Sequence, residues 1–274
     1  MRNQSLAALL ICACFFPSVP ASASQVAVRY KEGLLHGFLG LSTLEGEHLA
    51  DGDLLQTVHG DRVTARLIYH FKDGSLQDET TIFSQRREFR LISYHLVQKG
   101  PAFQHPSDLS VNASTGQVTV RYTDDDGKEK VATERMKLPI ALANGMVPNL
   151  LRNLPPDAPP LEVSMVVATP KPRLVKLAIS SQGTEPFSLG TSSHKATLYT
   201  IKIEIGGLAG LVAPLLGKQP PDSHIWILGG EAPAFVKSEV ISYLGGPMWR
   251  TELVAPVWPR TESAESKDGK EANH

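Results

Sequence analysis

Cysteine is almost absent from this 274-residue chain, and its two copies, Cys12 and Cys14, lie close to the N-terminus. No disulfide or cysteine-based metal site can therefore form in the rest of the chain. A chain of this length is long enough to bury an ordinary hydrophobic core. The absence of cysteine thus excludes a small domain held together by disulfides and predicts a core-stabilised fold.

An excess of charge of either sign is also lacking, because 27 Lys and Arg residues stand against 28 Asp and Glu residues. This balance gives no basic footprint for nucleic acid. The G-x-S-x-G and H-E-x-x-H motifs and a glycine-rich phosphate loop are absent as well. The histidines are spread out, and Asp124-Asp125-Asp126-Gly127 lacks the spacing of a calcium loop. We therefore predict no nucleic-acid partner, no catalytic residue, no metal and no cofactor.

The N-terminal segment has the pattern of a secretory signal peptide. Arg2 precedes an apolar run from Leu6 to Phe16, and Ala21-Ser22-Ala23 follows as a cleavage site. We expect residues 1–23 to be removed and the protein to be periplasmic or secreted. An alternative is lipidation of Cys14, which would make the protein an outer-membrane lipoprotein. The polar segment 260–274 predicts a disordered tail.

Apolar residues recur with period two between frequent glycines and prolines, which predicts β-strands. Val63, Ala65, Leu67, Tyr69 and Phe71 share one face of a predicted strand, and similar period-two patterns cover 117–122 and 199–205. Short connections predict antiparallel neighbours in a long meander. We expect one mainly β domain over 24–259, built as an antiparallel half-barrel or open barrel. A two-sheet β-sandwich or a closed barrel is the alternative.

Two segments interrupt the strand pattern. Residues 138–154 repeat apolar side chains at helical spacing, and Gly145 and Pro148 are expected to kink or split that helix. Residues 206–216 form an uncharged apolar loop, and an exposed apolar surface of that extent usually contacts something. The alternative is that this loop packs over an end of the sheet as ordinary core. We predict one or two helical plug segments inserted in the sheet.

The stretch from Tyr69 to Gln85 reads as a hairpin around Asp73-Gly74 and places two acids side by side. With a two-residue turn, Tyr69 lies opposite Asp78 and Ile68 opposite Glu79. Asp78 is then expected on the apolar face with Leu67, Tyr69 and Phe71, and Glu79 is expected to pair with Arg66 on the wet face. A hydrogen bond from Tyr69 or a buried backbone group to Asp78 is the structural interpretation. A ligand head group held by Asp78 is the functional one.

Three segments carry a resemblance to a known family. They are the Asp73-Gly74-Ser75 hairpin, Leu142-Ala143-Asn144-Gly145-Met146 in the inserted helix, and residues 217–222 before His224-Ile225-Trp226-Ile227. Their order over 25–258 resembles the bacterial lipoprotein-localisation half-barrels, and more closely the uncharacterised periplasmic proteins thought to share that fold. The resemblance implies a curved sheet around helical plugs whose concave side binds acyl chains or similar ligands.

These observations predict a non-catalytic protein that binds an apolar small molecule or lipid on the concave face of a curved sheet, and we expect a monomer. An envelope interaction or assembly protein that uses the 206–216 loop is the first alternative. An enzyme that uses Asp78 or Glu79 with His70 is the second. The candidate ligand-binding residues are Tyr69, Asp78, Leu208, Leu211, Val212 and Leu215.

Overall fold

The computed structural model describes residues 25–124, 126–155, 157–189, 192–204, 220–243 and 245–254. The predicted signal peptide, the 206–216 loop and the 260–274 tail lie outside these residues. Among the described residues, no helix is long and apolar enough to cross a membrane.

Fourteen strands form one antiparallel sheet in the order β8-β7-β6-β5-β4-β3-β2-β1-β14-β13-β12-β11-β10-β9. The first eight strands and the last six are two meanders, and they meet where β1 pairs with β14. The ladder ends at β8 on one side and β9 on the other, so the sheet is open. The bounds are β1 Leu35–Thr43, β2 His48–His59, β3 Arg62–Phe71, β4 Leu76–Gln85, β5 Phe89–Lys99, β6 Ser107–Asn112, β7 Gln117–Thr123, β8 Glu129–Arg135, β9 Leu161–Val167, β10 Arg173–Leu189, β11 Ser192–Glu204, β12 Ser223–Leu228, β13 Ala234–Ile241 and β14 Met248–Leu253.

The sheet curves around a shared core. One buried cluster joins Leu91 of β5 and Val120 of β7 to Leu177 of β10 and Tyr199 of β11. On a flat sheet, β5 and β11 would lie about 40 Å apart at the usual strand spacing. Both wings can reach one cluster only if the sheet bends toward its apolar face. The predicted antiparallel half-barrel meander is therefore confirmed.

The inserted segment fills part of the concave side. Helix α1 spans Val147–Arg152, and Pro148 lies in its first turn, where a missing backbone N–H costs nothing. Gly145, with φ of 66°, stops the helix from extending toward residue 138. Leu142, Met146 and Leu150 are nevertheless buried in the shared core. The helical plug exists as predicted, but it is much shorter than 138–154.

Buried polar groups tie the start of the described chain to the plug. The Asn153 side-chain oxygen accepts hydrogen bonds from the backbone N–H groups of Arg29 and Tyr30, at 2.8 and 2.7 Å. Arg152 forms an ion pair of 2.8 Å with Glu32, whose side chain is almost fully buried. Gln85 of β4 accepts from the backbone N–H of Glu32 at 2.6 Å. These contacts fix α1 against β4 and the N-terminal segment.

The β3–β4 hairpin corrects the predicted register. The backbone N–H of Phe71 donates to Ser75 at 3.0 Å, and that of Gly74 donates to Phe71 at 3.1 Å. Lys72, Asp73 and Gly74 therefore form a three-residue turn, with Gly74 at φ of 83°. The pairing becomes Tyr69 with Gln77, Ile68 with Asp78 and Leu67 with Glu79. Because side chains alternate along a strand, this shift of one residue exchanges the faces of the two acids.

Candidate ligand-binding site

Glu79 is the acid that faces the concave side of the sheet. Leu54 pairs across the strands with Leu67, Leu67 with Glu79, and Glu79 with Leu96. We refer to these four side chains as the concave row. All four retain some accessible surface, whereas most of the surrounding core is buried. The concave row is thus an apolar strip with one carboxyl group at its centre.

The carboxyl group of Glu79 has a polar neighbour on the next strand. Burial raises its pKa above the usual 4.5, and a hydrogen bond to Tyr94 only partly opposes that effect. Burial and the nearby Glu79 carboxylate in turn raise the pKa of the Tyr94 hydroxyl. Tyr94 therefore acts as a donor to Glu79. A carboxyl group has several acceptor positions, so one donor does not saturate it.

The plug approaches Glu79 through a glycine. A Cβ atom built on Gly145 would lie 2.9 Å from Glu79 Oε1 and would collide with Thr81 Oγ1. Gly145 is itself exposed. A side chain at this position would nevertheless strike Thr81 and Glu79 and push the plug away from β4.

Tyr69 lies one step along β3 from the concave row. Its ring crosses Gly52, where a Cβ atom would come within 2.5 Å of the ring, and its hydroxyl lies 3.2 Å from Thr251 Oγ1. Burial raises the pKa of Tyr69, and the contact with Thr251 opposes the increase. The structure therefore places this predicted ligand-binding residue in a buried contact between β3 and β14. Its role in ligand binding stays a prediction.

Asp78 faces the outer side of the sheet, which corrects its predicted position on the apolar face. Arg66 donates two hydrogen bonds to its carboxylate, from Nε at 3.0 Å and from Nη2 at 2.6 Å. These bonds hold the pKa of Asp78 below its usual 3.8, although partial burial opposes them. The predicted pairing of Arg66 with Glu79 is wrong, because the three-residue turn brings Arg66 and Asp78 to one face. His70 shares that outer face, so it is separated from Glu79 by the sheet.

An open cleft of about 570 Å³ lies at the end of the sheet that carries the β1–β2 and β3–β4 turns. Phe71 and Trp249 contribute to its floor, with ring centroids 5.3 Å apart. Phe103 packs against both rings and also against Tyr243 of the β13–β14 loop. Charged residues surround this apolar floor, namely Glu45, Glu47, Lys72 and Asp73.

The four apolar candidates Leu208, Leu211, Val212 and Leu215 lie outside the described residues. The strands on either side of that segment are described, since β11 ends at Glu204 and β12 begins at Ser223. The start of β12 pairs near the end of β13, and the end of β13 pairs with the start of β14, which carries Trp249. The two described strand ends that flank the segment therefore lie at the end of the sheet that also carries the cleft.

The described histidines do not gather into a site. His36, His48 and His95 each contact one aspartate, Asp53, Asp51 and Asp108 respectively, at 2.9–3.1 Å. In the part of the chain that the structure describes, no group of three or more His, Cys, Asp or Glu residues could hold a metal ion.

Comparison with solved structures found two similar chains. One is described as a β-barrel-like protein of a domain of unknown function, DUF1849, from Brucella abortus. It has 10% identity, covers 81% of this chain and 98% of its own, and has a TM-score of 0.42. The other is MucB in complex with the periplasmic part of MucA. It has 11% identity, covers 82% and 89%, and has a TM-score of 0.17. No family model and no curated protein matches the sequence.

Sequence reasoning missed two features of this site. The inward direction of Glu79 depends on a turn length that Asp73-Gly74 alone does not determine. A glycine is also common as the last residue of a three-residue turn, so Lys72-Asp73-Gly74 was an alternative to a two-residue turn at Asp73-Gly74. The close approach of Gly145 to Glu79 and Thr81 had no local sequence signal except a glycine in an otherwise apolar segment.

Proposed function

We propose that the protein binds an amphipathic ligand on the concave row without catalysing a reaction. The observation that carries the proposal is Glu79, a partly accessible residue whose carboxyl group is buried between the leucines of a curved apolar surface. The apolar part of the ligand would lie against Leu54, Leu67 and Leu96. Its head group would donate a hydrogen bond to Glu79. The predicted export signal supports a periplasmic location for this binding.

The expected head group is a hydrogen-bond donor, such as an amine or a hydroxyl. A buried carboxyl group without enough donors is costly, and a donor from the ligand would reduce that cost. A ligand carboxylate would place two like charges together when both are ionised, which is unfavourable. The site therefore supports selection of long-chain amines or alcohols over fatty acids.

The test uses the neutral dye N-phenyl-1-naphthylamine, whose fluorescence increases in apolar surroundings. We expect the dye to bind the folded protein and dodecylamine to displace it at lower concentration than dodecanoate does. Glu79→Gln should reduce the preference for dodecylamine. Asp78→Asn is the matched control, because it neutralises the adjacent acid on the opposite face. Equal displacement of the dye by dodecylamine and dodecanoate, or equal effects of Glu79→Gln and Asp78→Asn, would refute the proposal.

The hypothesis that the 206–216 loop contributes to binding stays a prediction. Leu211→Asp tests it in the same dye assay, since a charge at an apolar contact costs free energy. If that variant remains folded and binds the dye with unchanged affinity, the loop does not contribute.

A second candidate function is docking of an envelope protein at the end cleft. An apolar floor with Trp249 and Phe71, surrounded by charged residues, has the anatomy of a protein interface. Its occupant would insert an apolar side chain between the β1–β2 turn and β14.

Photo-crosslinking in the native host tests this second candidate. A benzoylphenylalanine at position 44 replaces Leu44, which lines the cleft and is 37% exposed. Position 34 is the control, because Leu34 is exposed but does not line the cleft. We expect a discrete crosslinked partner from position 44 only. Identical crosslinked products from positions 44 and 34 would refute docking of a partner at the cleft.

A further inference from the structure

Strand β8 is an edge strand whose outer side has no pairing partner among the described strands. The backbone N–H of Met136 donates to Gly116, and that of Asp124 donates to Lys128. Even-numbered residues of β8 therefore direct their backbone groups toward β7. Because these directions alternate along a strand, the odd-numbered residues direct theirs to the open edge. They are Glu129, Val131, Thr133 and Arg135.

The charges of β8 are arranged symmetrically about Ala132. The strand reads Glu-Lys-Val-Ala-Thr-Glu-Arg, so acidic and basic residues exchange places when the direction of reading is reversed. If a second copy pairs antiparallel about Ala132, Glu129 meets Arg135 of the other copy. Lys130 then meets Glu134 in the same way. Each copy contributes both members, so four opposite-charge pairs form.

The backbone supports the same register. Pairing about Ala132 places Val131 opposite Thr133 and Glu129 opposite Arg135, all of which have outward backbone groups. These pairs can exchange N–H and C=O hydrogen bonds, while Ala132 meets its own copy at a pair without hydrogen bonds. Side chains that meet also share a face of the extended sheet. Backbone direction and side-chain face thus permit this register, and the charges of β8 favour it.

We infer that β8 joins two copies of this chain into a two-fold symmetric dimer with a continuous sheet. Charged residues on an edge strand often serve to prevent such pairing. Here they place four opposite-charge pairs together when the axis lies at Ala132. Lys130 already lies 3.5 Å from Asp124 of its own chain, and its three donors can serve both carboxylates.

The opposite edge of the sheet favours a closed dimer over a fibre. Ser164 of β9 donates to the backbone of Ala141 and accepts from that of Ala143, and Asn144 pairs with Val166. The inserted segment therefore occupies part of the β9 edge. A two-fold pairing uses the β8 edge of both copies, so it leaves no β8 edge for a third copy and ends at two copies. A single strand pair buries less than a standard interface, so the dimer should dissociate on dilution. The sequence alone predicts a monomer, and only the position of β8 in the sheet suggests otherwise.

Charge reversal tests the register. Sedimentation equilibrium of the intact protein at low salt should show a monomer–dimer equilibrium that high salt weakens. Lys130→Glu, or Glu134→Lys, places like charges together at two symmetric points and should raise the dissociation constant about tenfold or more. The double variant Lys130→Glu with Glu134→Lys restores opposite charges and should restore association. A monomer at every concentration, or single variants that associate like the wild type, would overturn the inference.

A disulfide provides an independent test. In an antiparallel pair without hydrogen bonds the Cα atoms are about 4.5 Å apart, within the usual disulfide range of about 4.4–6.8 Å. Ala132→Cys, in a background with Cys12 and Cys14 replaced by serine, should form a covalent dimer on mild oxidation. Ser114→Cys, on the exposed turn between β6 and β7, is the control and should not. Equal yields of covalent dimer from both variants would contradict the proposed axis.

Discussion

The two neighbouring acids show how one step along a strand changes the environment of a carboxyl group. Asp78 faces outward and receives two hydrogen bonds from Arg66, which lower its pKa. Glu79 faces inward, and burial raises its pKa. Their contributions to stability therefore depend on pH with opposite signs.

The free energy of unfolding of Glu79→Gln should increase relative to that of the wild type as the pH rises. A raised pKa means that the folded state favours the protonated acid. The resulting stability is present below the unfolded value near 4.5 and is lost as the pH rises through the folded pKa. Glutamine has no such loss and can still accept from Tyr94. Urea midpoints of both proteins at pH 4 and pH 7.5 measure the effect, and an unchanged difference between the two pH values would contradict it.

Asp78→Asn should reduce the free energy of unfolding by about 0.5 kcal/mol at pH 7, because Arg66 is more than half exposed. The pH dependence of the stability contribution of Asp78 is opposite in sign to that of Glu79. A lowered pKa gives stability that is present above the usual 3.8 and is lost as the pH falls through the folded pKa. The difference between variant and wild type should therefore shrink in acid. Urea titrations down to pH 3 measure it, and a cost that grows in acid would be inconsistent with the ion pair.

At the scale of elements, the sequence predicts strands well and their register less well. Alternation in β3 and β7 correctly identifies the face that carries Val63, Tyr69 and Val120. That alternation is local, whereas the register of β3 on β4 depends on the length of one turn. The inserted helix is overestimated because its apolar spacing continues through Gly145, whose backbone cannot continue the helix.

Gly145→Ala should destabilise the protein more than Gly127→Ala does. Both glycines have positive φ, 66° and 77°, so alanine costs about 1 kcal/mol of backbone strain at each. Only at Gly145 would the added methyl group also strike Thr81, since nothing lies within 4 Å of a Cβ at Gly127. Urea midpoints compare the variants, and Thr81→Ala should recover part of the additional loss. Equal costs at the two glycines would exclude the close approach of plug and β4.

Asn153→Ala should cost about 1–3 kcal/mol, because two buried backbone N–H groups lose their acceptor. Hydrogen exchange should become faster at Arg29 and Tyr30. Asn149→Ala is the control, since Asn153 uses only the backbone oxygen of Asn149. If exchange at Arg29 and Tyr30 is unchanged in Asn153→Ala, the side chain does not hold the N-terminal segment.

At the scale of the whole molecule, one core joins both wings of the sheet. Most strands within each wing follow one another through short connections, apart from the longer one between Glu204 and Ser223, so their order could be predicted as a meander. The pairing of β1 with β14 could not, because Leu39 and Leu253 carry no local signal for each other. The position of the end cleft depends on that pairing too, since it brings Trp249 near Phe71.

The shared core predicts that both wings unfold together. Trp249 reports on the cluster near the cleft when Trp226 and Trp258 are replaced by phenylalanine, and far-ultraviolet circular dichroism reports on the whole sheet. The two urea transitions should coincide, as expected for one cooperative unit. Separate midpoints would indicate that the wings fold independently.

The β1–β14 ladder has a consequence for the order in which the structure can form as the chain emerges from the ribosome or from an export channel. Of the described strands, β1 emerges first and β14 last, yet they are adjacent near the middle of the sheet. The early wing can build outward from β1 to β8 through local hairpins, but the inner edge of β1 stays unpaired until β14 arrives. Such long-range contacts form slowly. The edge of β1 therefore stays exposed from the emergence of β1 until that of β14, and a chaperone that binds extended segments would bind there.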